Sequence, residues 1–194
     1  MTKTDLRPAN LPRVEPAFLP EVLLITPVRH ADSRGFFSEV FSETAWRDVG
    51  VDCRFIQDNQ SLSLHRGTLR GLHFQIPPLA QAKLVRVLRG AIFDVAVDIR
   101  RGSATYGKFA SVILSADNGC QLFVPAGFAH GFCTLQPDTE VLYKVDAPYS
   151  RDHERGLVWN DATVGIPWPV PAEDVRVLDR DREFPRLDGL PGFF

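Results

Sequence analysis

From Cys53 to Val145 the chain is a close succession of short β-prone segments separated by turn residues. The segments run Cys53 to Ser63, Thr68 to Gln75, Lys83 to Leu88, Ala91 to Ile99, Lys108 to Leu114, Cys120 to Val124, Gly131 to Leu135 and Glu140 to Val145. Arg89-Gly90, Arg101-Gly102, Asp117-Asn118-Gly119 and Gln136-Pro137-Asp138 punctuate them. Many short strands at this spacing predict an antiparallel sandwich or barrel. Two further β-prone runs, Val22 to Val28 and Phe36 to Phe41, come earlier. The best helix candidate is Ser42 to Val49: Ser42 can cap it, Glu43 sits in the first turn and Gly50 follows its end. No repeat or linker breaks the chain. A single domain over residues 1–194 is expected, with a polar N-terminal extension at 1–17. The proline-rich and charged segment 147–194 should wrap the barrel with a short helix or two.

A chain of 194 residues with 44% hydrophobic and 24% charged content can bury a real core. A net charge of −2 gives no reason to expect nucleic acid or an anionic membrane as partner. Cys53, Cys120 and Cys133 lack metal-type spacing, and an odd count does not suit a disulfide framework. No signal peptide or membrane span is visible, so the cytoplasm is the expected compartment.

Strand parity sharpens two segments. In Ala91 to Ile99, Phe93, Val95, Val97 and Ile99 share one face, and Ile92, Asp94, Ala96 and Asp98 the other. Two acids on one face suggest a half-solvated strand, or a strand lining a polar cavity. Solvation is the commoner cause. In Leu69 to Gln75, His73 and Gln75 share a face, while Arg70 is out of phase with His73. A bulge at Gly71 would bring Arg70 and His73 to one side.

The chemistry concentrates in Arg70-Gly71-Leu72-His73-Phe74-Gln75, Lys83, the Pro125-Ala126-Gly127-Phe128-Ala129-His130 turn and Tyr143-Lys144. This inventory supplies a base, a cation for an oxyanion and an acid, the groups that move a proton beside a carbonyl. Singly, each has an ordinary use: a hydrogen-bonded histidine, a solvated lysine, a core tyrosine. The Pro-x-Gly-x-x-His turn resembles that of cupin jelly rolls, whose histidine points into the barrel and often onto a metal. There a His-x-His pair completes the ligands, but this chain has His73-Phe74-Gln75. Two histidines and Asp94 are too few for a persuasive metal site. No metal and no cofactor are expected.

From about Phe18 to about Leu187 the chain resembles the dTDP-4-dehydrorhamnose 3,5-epimerase family. The resemblance rests on Ser33 to Glu39, Phe55 to Asn59, Leu69 to Gln75, Lys83 to Val87, Phe93 to Arg100, Gln121 to Phe132, Leu142 to Lys144 and Trp159-Asn160-Asp161. It implies a mainly β, antiparallel jelly-roll (cupin) barrel with a few short peripheral helices. It also implies inversion at the carbons flanking the ketone of a dTDP-4-keto-6-deoxyhexose. The implied catalytic set is His73 as base, Tyr143 as acid, Lys83 at the ketone oxygen and Asp181 behind His73, with Asp179 as the competing carboxylate. An unperturbed histidine titrates near pH ~6.5 and can accept a proton at neutral pH. The implied substrate contacts are Arg34, Glu39, Gln57, Asp58, Asn59, Arg70, Lys83, His130, Tyr149, Glu154 and Arg180, with Tyr149 stacking on thymine. Arg180 stands where family members can carry lysine, and Ala82 where glycine is usual. The family pairs as homodimers with exchanged N-terminal strands, so some residues would serve the partner's site. A mono-epimerase, a metal-dependent cupin enzyme and a non-catalytic binding cupin are the alternatives.

Overall fold

The structure, a computed structural model, describes residues 11–194. Its strands are β1 (Arg13–Ala17), β2 (Leu19–Thr26), β3 (His30–Asp32), β4 (Gly35–Phe37), β5 (Gln57–Ser63), β6 (Leu69–Gln75) and β7 (Lys83–Arg89). They continue as β8 (Ala91–Asp98), β9 (Phe109–Ser115), β10 (Gln121–Val124), β11 (Phe128–Thr134), β12 (Thr139–Val145) and β13 (Glu154–Gly156). Two short helices, α1 (Glu43–Asp48) and α2 (Asp179–Arg182), accompany them. One sheet has the order β1-β2-β10-β7-β12-β5 and the other β13-β6-β11-β8-β9; β3 and β4 form a separate hairpin. All paired strands are antiparallel.

The expected helix is present. The Ser42 hydroxyl accepts the Ala45 amide at 3.4 Å, and Trp46 is buried with its ring edge on Phe41. The chain enters the sheet earlier than its prolines suggest: Arg13–Ala17, assigned to the polar extension, pairs with β2. The remainder of that extension, residues 1–10, lies outside the described residues. The strand expected at Val22 to Val28 is shifted to Leu19–Thr26, and that at Phe36 to Phe41 shrinks to Gly35–Phe37.

The two sheets share a core of Val22, Val85, Val87, Ile92, Ala96, Leu114, Leu122, Phe128 and Val141. Burying each aliphatic side chain contributes roughly 1.5–3 kcal/mol. The outer face of the second sheet is covered as well. Val95 and Val97 of β8, with Ile99 just beyond it, pack against Leu157, Val164, Leu187 and Leu190 of the C-terminal segment, with Phe193 and Phe194 beside them. The solvated-face reading of β8 is overturned on its other face: Asp94 and Asp98, which share it with the core residues Ile92 and Ala96, are both 0% exposed. Asp98 accepts hydrogen bonds from Arg100, Ser103 and Thr105. Arg100 also reaches Glu21 of β2, tying the two sheets at this end.

The expected bulge in β6 is also present. His130 pairs with His73 and Phe132 with Arg70, so Gly71 and Leu72 lie opposite Gly131 alone. A side chain at Gly71 would bring its Cβ within 2.6 Å of the Gly131 Cα, at a φ of +132°. Glycine at both positions lets the two backbones touch.

Candidate active site

The open end between the sheets holds a cleft of about 970 Å³ lined by Arg70, His73, Lys83, His130, Tyr143, Glu154, Arg180 and Asp181, among others. Strand parity explains the convergence. Lys83 shares the inward face of β7 with Val85 and Val87, and Tyr143 lies opposite Val85 on β12. From the other sheet, His130 lies opposite both His73 and Ala96. The extra residue at the Gly71 bulge returns Arg70 to the same side as His73.

Each histidine has its own carboxylate. His73 Nε2 lies 3.1 Å from Asp181 Oδ2, and the Asp181 side chain is only 1% exposed. This is an ion-pair distance without the alignment of a good hydrogen bond. Asp179, the competing carboxylate, faces solvent. Burial alone would raise the Asp181 pKa; the facing His73 imidazole, with Arg180 and the Gly71 amide nearby, holds it below the ordinary carboxylate value. The edge of the Phe184 ring packs 5.6 Å from the His73 ring. His130 Nε2 meets Asp94 Oδ1 at 2.7 Å. The Asp94–His130 pair was missing from the sequence reading of the site, although Asp94 shares its face with the inward Ile92 and Ala96.

Lys83 Nζ donates to the His73 carbonyl at 3.2 Å, joining the two sheets beneath the cleft. Burial lowers its pKa to about 8, partly opposed by the charges of Asp94 and Glu154. The ammonium is still the main form at neutral pH. Burial raises the Tyr143 pKa, Arg70 lowers it and Glu154 raises it; the net shift is upward, so the phenol keeps its proton. At the rim, Tyr149 Oη donates to Glu154 Oε2 at 3.0 Å, and Arg180 also binds Glu154.

Gln75 explains the missing second histidine of the cupin pattern. Its amide nitrogen donates to the carbonyls of Leu79 at 2.6 Å and Pro148 at 3.1 Å, and its oxygen accepts the Ser150 amide at 2.7 Å. Gln81 donates to the Ala147 carbonyl, and Asp146 accepts the Ala82 amide. These bonds clip residues 79–82 to residues 146–150, the segment that presents Tyr149.

The remaining sequence candidates lie away from the cleft lining of this chain. Gln57 and Asn59 face inward on β5, bonded to each other at 2.8 Å, and Asn59 lies opposite Tyr143. Asp58 points the other way and pairs with Lys144 at 2.9 Å. Arg34 is exposed on the β3–β4 hairpin, paired with Asp32, and Glu39 is exposed just beyond. The cleft also includes Ser61, His65, Arg66 and Arg176, which the sequence reading did not select.

The model of the family described as dTDP-4-dehydrorhamnose 3,5-epimerase matches residues 16–189. The chain belongs to that family. A Sinorhizobium fredii protein with the same description is 56% identical over 174 residues, covering 90% of this chain and 89% of that protein. Among solved structures, the Bacillus anthracis dTDP-4-dehydrorhamnose 3,5-epimerase with TDP and PPi bound aligns with a TM-score of 0.86 and 49% identity. The alignment covers 90% of this chain and 99% of that one. The Legionella pneumophila dTDP-6-deoxy-D-glucose-3,5-epimerase in complex with dTDP-4-keto-L-rhamnose aligns with a TM-score of 0.88 and 39% identity, covering 93% and 95%. The expected family, isomerase class and mainly β antiparallel fold therefore hold. No helix among the described residues is long and apolar enough to cross a membrane.

Proposed function

We propose that this epimerase inverts both carbons flanking the ketone of dTDP-4-dehydro-6-deoxy-D-glucose, giving dTDP-4-dehydro-L-rhamnose, through an enolate. The observation that carries this reading is the convergence of His73, Lys83 and Tyr143 from two sheets on one cleft, with buried Asp181 behind His73. His73 takes the proton from the carbon, and the C–H electrons pass into the ketone. The Lys83 ammonium stabilises the enolate oxygen, an electrostatic contribution on the order of 10²–10³ in rate. Tyr143 gives its proton to the opposite face of the same carbon, so that exchange becomes inversion. The imidazolium and phenolate are then reset by proton exchange with solvent. The Asp181 carboxylate supports the imidazolium, as the aspartate does in a serine-protease triad. No cofactor enters this scheme.

Arg70, His130, Glu154, Arg180 and Lys83 supply the polar lining that a diphosphate and sugar require, and Tyr149 offers an exposed ring for the base. Arg34, Glu39, Gln57, Asp58 and Asn59 complete the nucleotide contacts in a homodimer with exchanged N-terminal strands. The exposed Phe36 and Phe37 beside Arg34 support that reading. The chain acts as one domain with its sheets closed into a barrel, in the cytoplasm.

Proton NMR of the keto-sugar nucleotide in heavy water tests the scheme by counting the ring positions that exchange. His73→Asn should abolish exchange at both carbons. Tyr143→Phe should retain exchange and lose inversion; normal epimerisation by that variant refutes the acid assignment. Exchange confined to one carbon identifies a mono-epimerase instead.

A further inference from the structure

A chain of polar side chains runs from the cleft rim to His73. Tyr149 Oη and Arg180 Nη1 both donate to Glu154 Oε2, at 3.0 and 3.1 Å, and Arg180 Nη2 reaches Oε1 at 3.4 Å. The third guanidinium nitrogen, Nε, lies 3.2 Å from Asp181 Oδ1. The other oxygen of Asp181 faces His73. One guanidinium thus bridges two carboxylates, which its planar fork of donors allows and a compact ammonium does not.

Asp181 is buried, so its charge is divided among few partners. They are His73 and the Gly71 amide on β6, and Arg180 on its own helix. The Arg180 contact is ionic, since Asp181 Oδ1 accepts no aligned hydrogen bond. The other charged or titratable groups lining the cleft with His73 are Arg70 on β6, Lys83 on β7, His130 on β11, Tyr143 on β12, Glu154 on β13 and Arg182 on α2, with His65, Arg66, Glu173, Asp174 and Arg176 from the connecting segments.

We infer that Arg180 is a positioning residue that divides the charge of Asp181 between itself and the His73 imidazole, with Glu154 setting the share. The inference rests on His73 being the proton acceptor. Glu154 pulls the guanidinium towards the rim and leaves more of the Asp181 charge to His73. An anionic phosphate at the rim acts in the same sense. A ligand that engages Arg180 therefore strengthens the base at the moment it is needed.

The test is an NMR titration of the His73 imidazole in the free, full-length protein, with His73→Asn assigning the resonance. Arg180→Gln should raise the midpoint by about half a pH unit, roughly threefold in proton affinity, the scale set by one displaced charge at a partly exposed site. Glu154→Gln should lower it by a similar or smaller amount. The decisive comparison is the double variant: in the Arg180→Gln background, Glu154→Gln should have no further effect. An equal Glu154→Gln shift in both backgrounds, or no shift in either, overturns the inference. The titration needs no substrate. A parent enzyme that failed to exchange sugar protons would refute the proposed function and leave the titration readable.

Discussion

Lys83→Met should separate stability from activity. Lys83 is 8% exposed, and burial brings its pKa from 10.5 down to about 8. The folded pKa lies below the unfolded one, so the unfolded chain binds the extra proton between those limits. Stability therefore rises with pH from about 8 to 10.5, and below 8 the full cost of the buried ammonium is present. That interval corresponds to about 3 kcal/mol at neutral pH. Methionine fills a similar volume without the charge but loses the bond to the His73 carbonyl, which costs about 1 kcal/mol. The variant should be about 2 kcal/mol more stable than the parent at pH 7, and the advantage should vanish by pH ~10. Urea unfolding of both proteins at both pH values measures this. The comparison removes titrations that the two proteins share. Deuterium wash-in should fall by roughly 10²–10³. A variant less stable than the parent at pH 7 would refute the burial argument, and unchanged wash-in would remove Lys83 from the enolate.

The same group predicts that the turnover of the parent declines as pH rises through about 8, as the ammonium is lost; a flat profile to pH ~9.5 contradicts it. Gly71→Ala should cost more than about 3 kcal/mol, measured by urea unfolding, because its Cβ meets the Gly131 backbone. Burial would raise the Asp98 pKa, but bonds from Arg100, Ser103 and Thr105 lower it to about 2. The resulting contribution of about 2 kcal/mol is present above pH ~4 and lost as pH falls through about 2. Asp98→Asn should flatten that acid limb. Gln75→Ala should raise KM about tenfold with kcat nearly unchanged, since it loosens the segment carrying Tyr149; an unchanged KM would sever that link.

Turn residues and alternation made the strands legible, because each is a local signal. The Gly71 bulge was legible too: Arg70 and His73 could share a face only with an inserted residue. Asp94 and Asp98 were misread because alternation tells which residues share a face, not what covers it. Their face, shared with Ile92 and Ala96, is covered by the opposite sheet through Val22, Val85, Val87 and Leu122. Asp181 differs from Asp179 only in how a four-residue helix is set down, which no local pattern specifies. The Arg180 bridge depends on the packing of α2 beside β13 and was likewise invisible.

The Gln75 clip limits what this scaffold can become. A His-x-His pair would need only one changed side chain after Phe74, so a metal-binding cupin lies close by in sequence. Yet the amide at Gln75 donates to two carbonyls and accepts one amide, and imidazole cannot reproduce that set. Any lineage moving toward a metal would first have to rebuild the loop that carries Tyr149. The distance between the two chemistries is set by the neighbours of Gln75, not by the number of substitutions.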